Sequence, residues 1–338
     1  MPTLNEIRRE FNSLVPAAQA AGIRVRAWGA VPTTAQYGLE RIARLRSQLG
    51  LTTSLTQTAP VGTFPPPLPL PAGLPSYTFG VEFEFIPPAH MAAGFINPQR
   101  QLAQLISNAG VQTSAETYNH QLRNHWKIVT DSSVPGGLEL VSPILQGEAG
   151  IAAMRTACDV LVAAGCTINR TCGFHVHVGA RALPVSTFKN ILRLYAHYHT
   201  AIDSVLAPSR RAAANPTYCR PVRHNPSLDG HRTMDTFMRN FREPRTRYQA
   251  VNLNAFIRHG TIEFRQHGGT IEADKAEQWV RLCLRMVARA DASAMMQAPA
   301  GFALSNLLEF VGASEPETSF FIARAERFAS RAATTLNT

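Results

Sequence analysis

At 338 residues, 45% hydrophobic and 17% charged, the chain is long enough to bury a substantial core, and one large domain plus an appendage is the natural expectation. Its formal charge of +10 is carried almost wholly by arginine, since lysine occurs only as Lys127, Lys189 and Lys275; a nucleic-acid partner, a phosphorylated small molecule or an arginine-favouring genome would each produce such a balance. No GxxxxGK[ST] phosphate loop is present, no apolar run approaches the ~18–20 residues of a membrane span, and the opening MPTLNEIRREF lacks the pattern of a secretory leader, so a cytoplasmic protein is expected.

Residues 1–50 predict a small helical appendage: Leu4, Ile7, Phe11 and Leu14 recur at helical spacing, then Leu39, Ile42, Leu45 and Leu49. Arg8, Arg9, Arg41, Arg44 and Arg46 fall on the polar faces, which as a rule are simply solvated; a weak nucleic-acid-binding or partner-docking role stays open. Residues 51–76 run through TFPPPLPLPAGLPS, whose proline density favours an extended linker.

The main domain spans 77–338. Its first strand is YTFGVEFEF; a helix follows over 98–109, and residues 126–129 then lead into DSSVPGG and a strand at 138–142. A helix over 148–164 puts Ile151, Met154, Cys158 and Leu161 on one face and stops at Gly165. A strand carries 174–178, a long helix spans 185–206, and the arginine-rich stretch 208–247 reads as irregular. Strands over 249–256 and 261–267, a helix over 271–290 and an amphipathic helix over 316–334 complete the chain. Strands and helices mix without regular βαβ spacing, so the fold class is α+β with an antiparallel sheet.

Chemistry concentrates on the strands. Alternation puts Glu82 and Glu84 on one face of the first strand, with Phe79, Val81, Phe83 and Phe85 on the other. Glu139 in GGLELVSP, His175 and His177 in CGFHVHVG, and Glu263 with Arg265 in GTIEFRQH repeat the pattern, and strict alternation carries His267 to the face of Glu263. A lone ExE is worth little and a lone HxH is as readily a pair of hydrogen-bonded strand histidines, but four such runs predict one polar wall. Clustered carboxylates repel unless a cation neutralises them, so the wall predicts a divalent-metal site with oxygen from Glu82, Glu84, Glu139 and Glu263 and nitrogen from His175 or His177. Such donors favour magnesium or manganese over zinc. Arg265 would hold a positive charge beside the metal, which suits a phosphoryl group. Cys158, Cys166, Cys172, Cys219 and Cys283 form no CxxC pair and read as buried thiols of a reducing compartment; Cys172 has no base paired with it in sequence and reads as packing.

The segments GVEFEF, SSVPGGLELVSPIL, CGFHVHVG and RYQAVNLNAFIRHGTIEFRQHGGTIEADKAEQWVRLCL, in that order from about Tyr77 to Ala290, resemble the amidoligase family, carboxylate–amine ligases of the glutamine synthetase-like superfamily. The resemblance implies a curved antiparallel sheet flanked by helices, with ATP and divalent ions, Mg2+ or Mn2+, against its concave face. It implies that a carboxylate takes the γ-phosphate of ATP and that an amine converts the acyl phosphate to an amide, on an amino acid, peptide or protein acceptor. By motif, Glu84 and Glu139 match ligands of the metal nearer the acceptor. Glu82, His175 and Glu263 match ligands of the metal that bridges the ATP phosphates. His177 would sit beside the phosphates and Arg265 would stabilise the transferring phosphoryl group. Arg247 and Asn252 are expected near nucleotide or substrate, and Asp131 near the acceptor amine or a metal water. The stretch 208–247 is expected to be a flap over ATP, a site for an acidic acceptor, or a solvated loop. Synthetase relatives often form rings, which leaves an oligomer open.

Two other classes compete. HxH also opens the barrels of metal-dependent hydrolases, but about 160 residues follow His177, too few for a barrel of ~250 residues. A ligase fold retired into a basic structural or nucleic-acid-associated protein would keep unneutralised carboxylates in one cleft, which costs stability.

Overall fold

The structure, a computed structural model, describes residues 4–23, 25, 42, 45, 49, 70, 73–92, 97–211, 217, 219–222, 225–241, 246–293, 296 and 301–336. The chain divides into two compact units, Met1–Pro66 and Pro67–Thr338. In the first, helix α1 (Leu4–Ala20) buries Phe11, Leu14 and Ala18 with Ile42 and Leu45 in a small core of its own. Spacing of three and four residues is what gives a helix one apolar stripe. Leu39, Arg41, Arg44 and Arg46 of the second expected helix lie outside the described residues, as do residues 51–69 of the proline-rich stretch.

The second unit is α+β. Its eight-stranded sheet runs in the order β2 (Thr113–Ala115), β3 (Trp126–Thr130), β4 (Leu138–Val141), β1 (Thr78–Phe85), β6 (Gly173–Gly179), β8 (Thr261–Gly268), β7 (Val251–Asn252), and β5 (Leu145–Gln146) also pairs with β1. All of these ladders are antiparallel except β2–β3 at one edge. The helices are α2 (Ala89–Ala92), α3 (Pro98–Asn108), α4 (Gly147–Ala163), α5 (Val185–His197), α6 (His199–Ser204), α7 (Met234–Phe241), α8 (Ala255–His259), α9 (Ala273–Asp291), α10 (Leu304–Phe310) and α11 (Glu315–Leu336). Among the described residues no helix is long and apolar enough to cross a membrane.

Alternation makes the central strands two-sided. Phe79, Val81, Phe83 and Phe85 of β1 are buried with Val176 and Val178 of β6 and with Ile262 and Phe264 of β8. Phe83 stacks on Phe174 with ring centroids 4.5 Å apart. Helix α9 packs on β6, α4 and α5, and brings Trp279, Cys283 and Met286 into the core that also takes Ile151, Met154, Cys158 and Leu161 of α4. Each fully buried large apolar side chain contributes roughly 1.5–3 kcal/mol. The apolar face therefore carries the stability and leaves the opposite face free to hold polar groups.

Several expected elements are redrawn. The helix over 185–206 is two, α5 and α6, parting at Tyr198, whose backbone leaves the helical region (φ −98°, ψ 13°). The side chains at the break, His197 and Tyr198, reach the carbonyls of Gly301 and Asn306. Within 208–247, α7 forms because Phe237, Met238 and Phe241 share one buried face. The strand over 249–256 shrinks to the two residues of β7, and α8 follows until Gly260, in left-handed backbone (φ 71°), ends it. The short β2 and α10 offer too few residues for a periodic signal and were not expected.

Candidate active site

Cross-strand register turns four separate motifs into one wall. Glu84 of β1 lies opposite Glu139 of β4, Glu82 lies opposite His175 of β6, and His177 lies opposite Glu263 of β8. Directly opposed residues project from the same face with Cβ atoms ~4.5–5.5 Å apart. The wall is the floor of an open cleft of about 1870 Å³.

His175 sits at its centre. Its Nδ1 lies 3.1 Å from Glu82 Oε2 and 3.9 Å from Glu263 Oε1, and its Nε2 lies 3.8 Å from Glu84 Oε1. His177 turns Nε2 toward Glu82 Oε1 (3.4 Å) and Glu263 Oε1 (3.9 Å), and its Nδ1 lies 2.9 Å from Thr261 Oγ1. Arg265 donates through Nη1 to Glu263 Oε1, and Asn252 Nδ2 donates to Glu263 Oε2 at 2.6 Å. The Gly173 backbone N–H donates to Glu84 Oε2 at 2.6 Å. A Cβ on Gly173 would stand 2.9 Å from His175 Nε2 and 3.4 Å from each Glu84 oxygen, so glycine is what lets these side chains approach the backbone so closely. The turn before Gly173 is pinned by buried Arg210, which donates to the carbonyls of Thr171 and Cys172.

The electrostatics follow from this crowding. Burial works to raise the Glu82 carboxyl, but His177 and His175 outweigh it and hold it well below the usual range. Burial likewise opposes ionisation of Glu263, and Arg265 with the two imidazoles overcomes it, so its pKa is lowered. His177 is raised, because Glu82 and Glu263 more than offset the cost of burying its cation. Glu139 goes the other way. Burial, then the charges of Glu82, Glu84 and Asp131, push its carboxyl well above the ordinary value, and Arg265 offsets only part of this.

Two trios, Glu82–His175–Glu263 and Glu84–Glu139–His175, each bring their ligand atoms within 4.8 Å of one another. His175 belongs to both, offering Nδ1 to the first and Nε2 to the second. A neutral imidazole has one lone pair, so its tautomer decides which set it completes. A surplus of carboxylates with a raised Glu139 and a mainly oxygen donor set together fit a hard divalent cation.

The remaining expected residues are placed as follows. Asp131 lines the cleft and accepts from the Ser133 N–H at 2.7 Å; Arg247 is exposed on the rim, its guanidinium 4.9 Å from the Tyr248 ring centroid. Asn252 is buried against Glu263. From the arginine-rich stretch, Arg223, Arg242 and Arg245 lie outside the described residues, and Arg210 is a buried anchor. His267 departs from strict alternation. Between their shared pairs β6 has only His175 while β8 has Arg265 and Gln266, a β-bulge that reverses the side-chain sense. His267 therefore turns into the core, edge-on to Phe174 (5.7 Å) and against Trp279 (5.2 Å). There burial, then the charge of Arg324, lowers its pKa to about 3. All five cysteines are free and buried, and burial raises the Cys172 thiol, so no thiolate nucleophile stands at the site.

Sequence reasoning did not pick out Thr261 or Gly173, and it named Arg210 only among the arginines of the 208–247 stretch, not as a buried brace. Thr261 precedes Glu263 by two residues, so alternation would have found it. It also missed a row of rings reaching over the floor: Tyr118 to His120 (5.0 Å), His120 to His259 (6.5 Å) and His259 to His177 (5.9 Å). The connection that carries Tyr118 and His120 is braced by Glu116, which accepts from Arg123, His125 and Asn119 and is held at about 2, chiefly by the Arg123 bond.

A family model described as "putative amidoligase enzyme" matches residues 75–287, which contain the whole wall. No curated protein matches the chain.

Proposed function

The chain belongs to the amidoligase family, and from that premise we propose that it is an ATP-dependent carbon–nitrogen ligase working through an acyl phosphate. The observation that carries the reading is the pair of ligand trios sharing His175, with Arg265 bonded to Glu263 at their edge. Phosphoryl transfer asks little covalent chemistry of a protein; it asks for positioning and for neutralised charge. An open, mostly antiparallel sheet also removes the closed barrel that the hydrolase alternative requires.

On this reading the sheet is the curved one of the glutamine synthetase-like superfamily. Glu82, His175 and Glu263 would hold Mg2+ or Mn2+ on the ATP side, and Glu84 with Glu139 a second ion on the acceptor side. Bound there, the ions supply Lewis-acid neutralisation of phosphoryl oxygens. Arg265 adds a fixed guanidinium for the transferring phosphoryl group. His177, oriented by Thr261, presents Nε2 to the same region. Arg247, on the rim, would contact nucleotide, and Asp131, whose charge acts on Glu139, would hold the amine.

The steps balance without a protein nucleophile. A substrate carboxylate oxygen attacks the γ-phosphorus, the bond to the β–γ bridging oxygen breaks, and ADP leaves. The amine nitrogen then attacks the acyl carbon, the carbon–oxygen bond to phosphate breaks, and the nitrogen gives up a proton. The cleft of about 1870 Å³ exceeds the ~300–1,000 Å³ of common small-ligand pockets, which leaves room for a peptide or protein acceptor beside the nucleotide. Five free thiols suit a reducing cytoplasm.

Calorimetry of ATP binding with and without Mg2+, on the wild type and on Glu82→Gln, tests the reading. Mg2+-dependent binding that the variant loses is expected. No ATP binding with either Mg2+ or Mn2+ would overturn it.

A further inference from the structure

Resting on the metal reading above, we infer that Asn252 is a positioning residue: it sets the orientation of Glu263, so that one carboxylate oxygen faces the imidazoles and the cation, and does not itself contact nucleotide or substrate. Asn252 is the residue of β7 directly opposite Glu263 of β8, so the two side chains rise from one face as neighbours. Asn252 is buried, 7% exposed. Its Oδ1 accepts from the Asn254 backbone N–H at 3.0 Å, and a backbone donor can only meet the oxygen. That bond settles which way the amide points, a choice that shape alone leaves open. Nδ2 is thereby aimed at Glu263 Oε2, which it reaches at 2.6 Å.

The consequence falls on the other oxygen. With Oε2 tied to Asn252, Oε1 is the atom that takes Arg265 and lies 3.9 Å from both His175 Nδ1 and His177 Nε2. Glu263 is thus split into a held oxygen and a presented oxygen. A carboxylate free to rotate would average the two and pay conformational entropy on each binding event. Hydrogen-bond partners behind metal ligands commonly contribute ten- to a hundredfold in affinity.

The test is Mn2+ affinity by calorimetry, on wild type, Asn252→Ala, Glu263→Gln and the double variant, with metal-free melting temperature recorded for each. Asn252→Ala is expected to weaken Mn2+ by about 10–100-fold. In the Glu263→Gln background the same substitution should change affinity by less than about 3-fold, because the residue acts only through that carboxylate. Asn252→Ser, which keeps an acceptor for the Asn254 N–H but is too short for Glu263, should repeat the loss while melting as the wild type does. Wild-type Mn2+ binding that Asn252→Ala leaves unchanged, or an equal loss in both backgrounds, overturns the inference alone. Absence of Mn2+ binding by the wild type overturns the metal reading and this inference with it.

Discussion

Glu84 and Glu139 face each other directly across the β1–β4 ladder, two carboxylates opposed on the floor of the cleft. Like charges in that position destabilise a sheet, and the Glu139 carboxyl is raised, first by burial and then by the charges of Glu82 and Glu84. Removing one of them separates stability from function. Glu139→Gln should make the metal-free protein more stable, by about 1–2 kcal/mol, while weakening Mn2+. Urea unfolding in EDTA and calorimetry check the two halves, and a less stable metal-free variant would contradict the argument.

Arg265 and Glu263 are expected to matter for turnover beyond their contribution to folding. Either Arg265→Ala or Glu263→Gln should lower ADP release from ATP by about 100–1,000-fold, the usual effect of deleting one charge-stabilising group. Far-UV circular dichroism should still report the α+β fold. Full activity in both variants would sink the site assignment.

Gly173 tests the close approach of His175 and Glu84 to the backbone. In Gly173→Ala the added methyl would press on the His175 ring and the Glu84 carboxylate, both buried and unable to yield cheaply. Overpacking of this kind costs about 1–3 kcal/mol. Loss of Mn2+ affinity together with a lower melting temperature is expected; an unchanged protein would show that the neighbouring side chains give way freely.

The pH dependence of stability should carry the mark of His267. Its folded pKa of about 3 lies below the ordinary 6.5, so between those values the unfolded chain binds the extra proton. Stability from this residue is therefore present above pH 6.5 and lost as pH falls toward 3, by up to about 1.4 kcal/mol per pH unit. His267→Phe, which keeps the packing on Trp279 and removes the proton, should lose less stability over that window. Parallel curves for the two proteins, from urea unfolding at stepped pH, would contradict the buried placement.

Much of the site was legible before any coordinates. Glu82, Glu84, Glu139, His175, His177, Glu263 and Arg265 all lie on the expected polar wall, because a strand alternates whatever its partner. His267 was misassigned by the same rule, since a bulge between Arg265 and Gln266 depends on the neighbouring strand and leaves no trace in the run itself. Met234, Phe237, Met238 and Phe241 show a helical stripe that the surrounding arginines obscured.

What the amino-acid order determined by itself is local: the alternation of each strand up to the bulge in β8, and the surplus of carboxylates on one face. What the tertiary structure alone decided is who meets whom. Strand order β4–β1–β6–β8–β7 sets Glu84 against Glu139 and His177 against Glu263, and places Asn252 opposite Glu263. It also brings Arg210 to the turn at Gly173 and His259 to His177. Such pairings join residues far apart in the chain, and the register that makes them comes from burying the opposite, apolar face, so no window of sequence contains it.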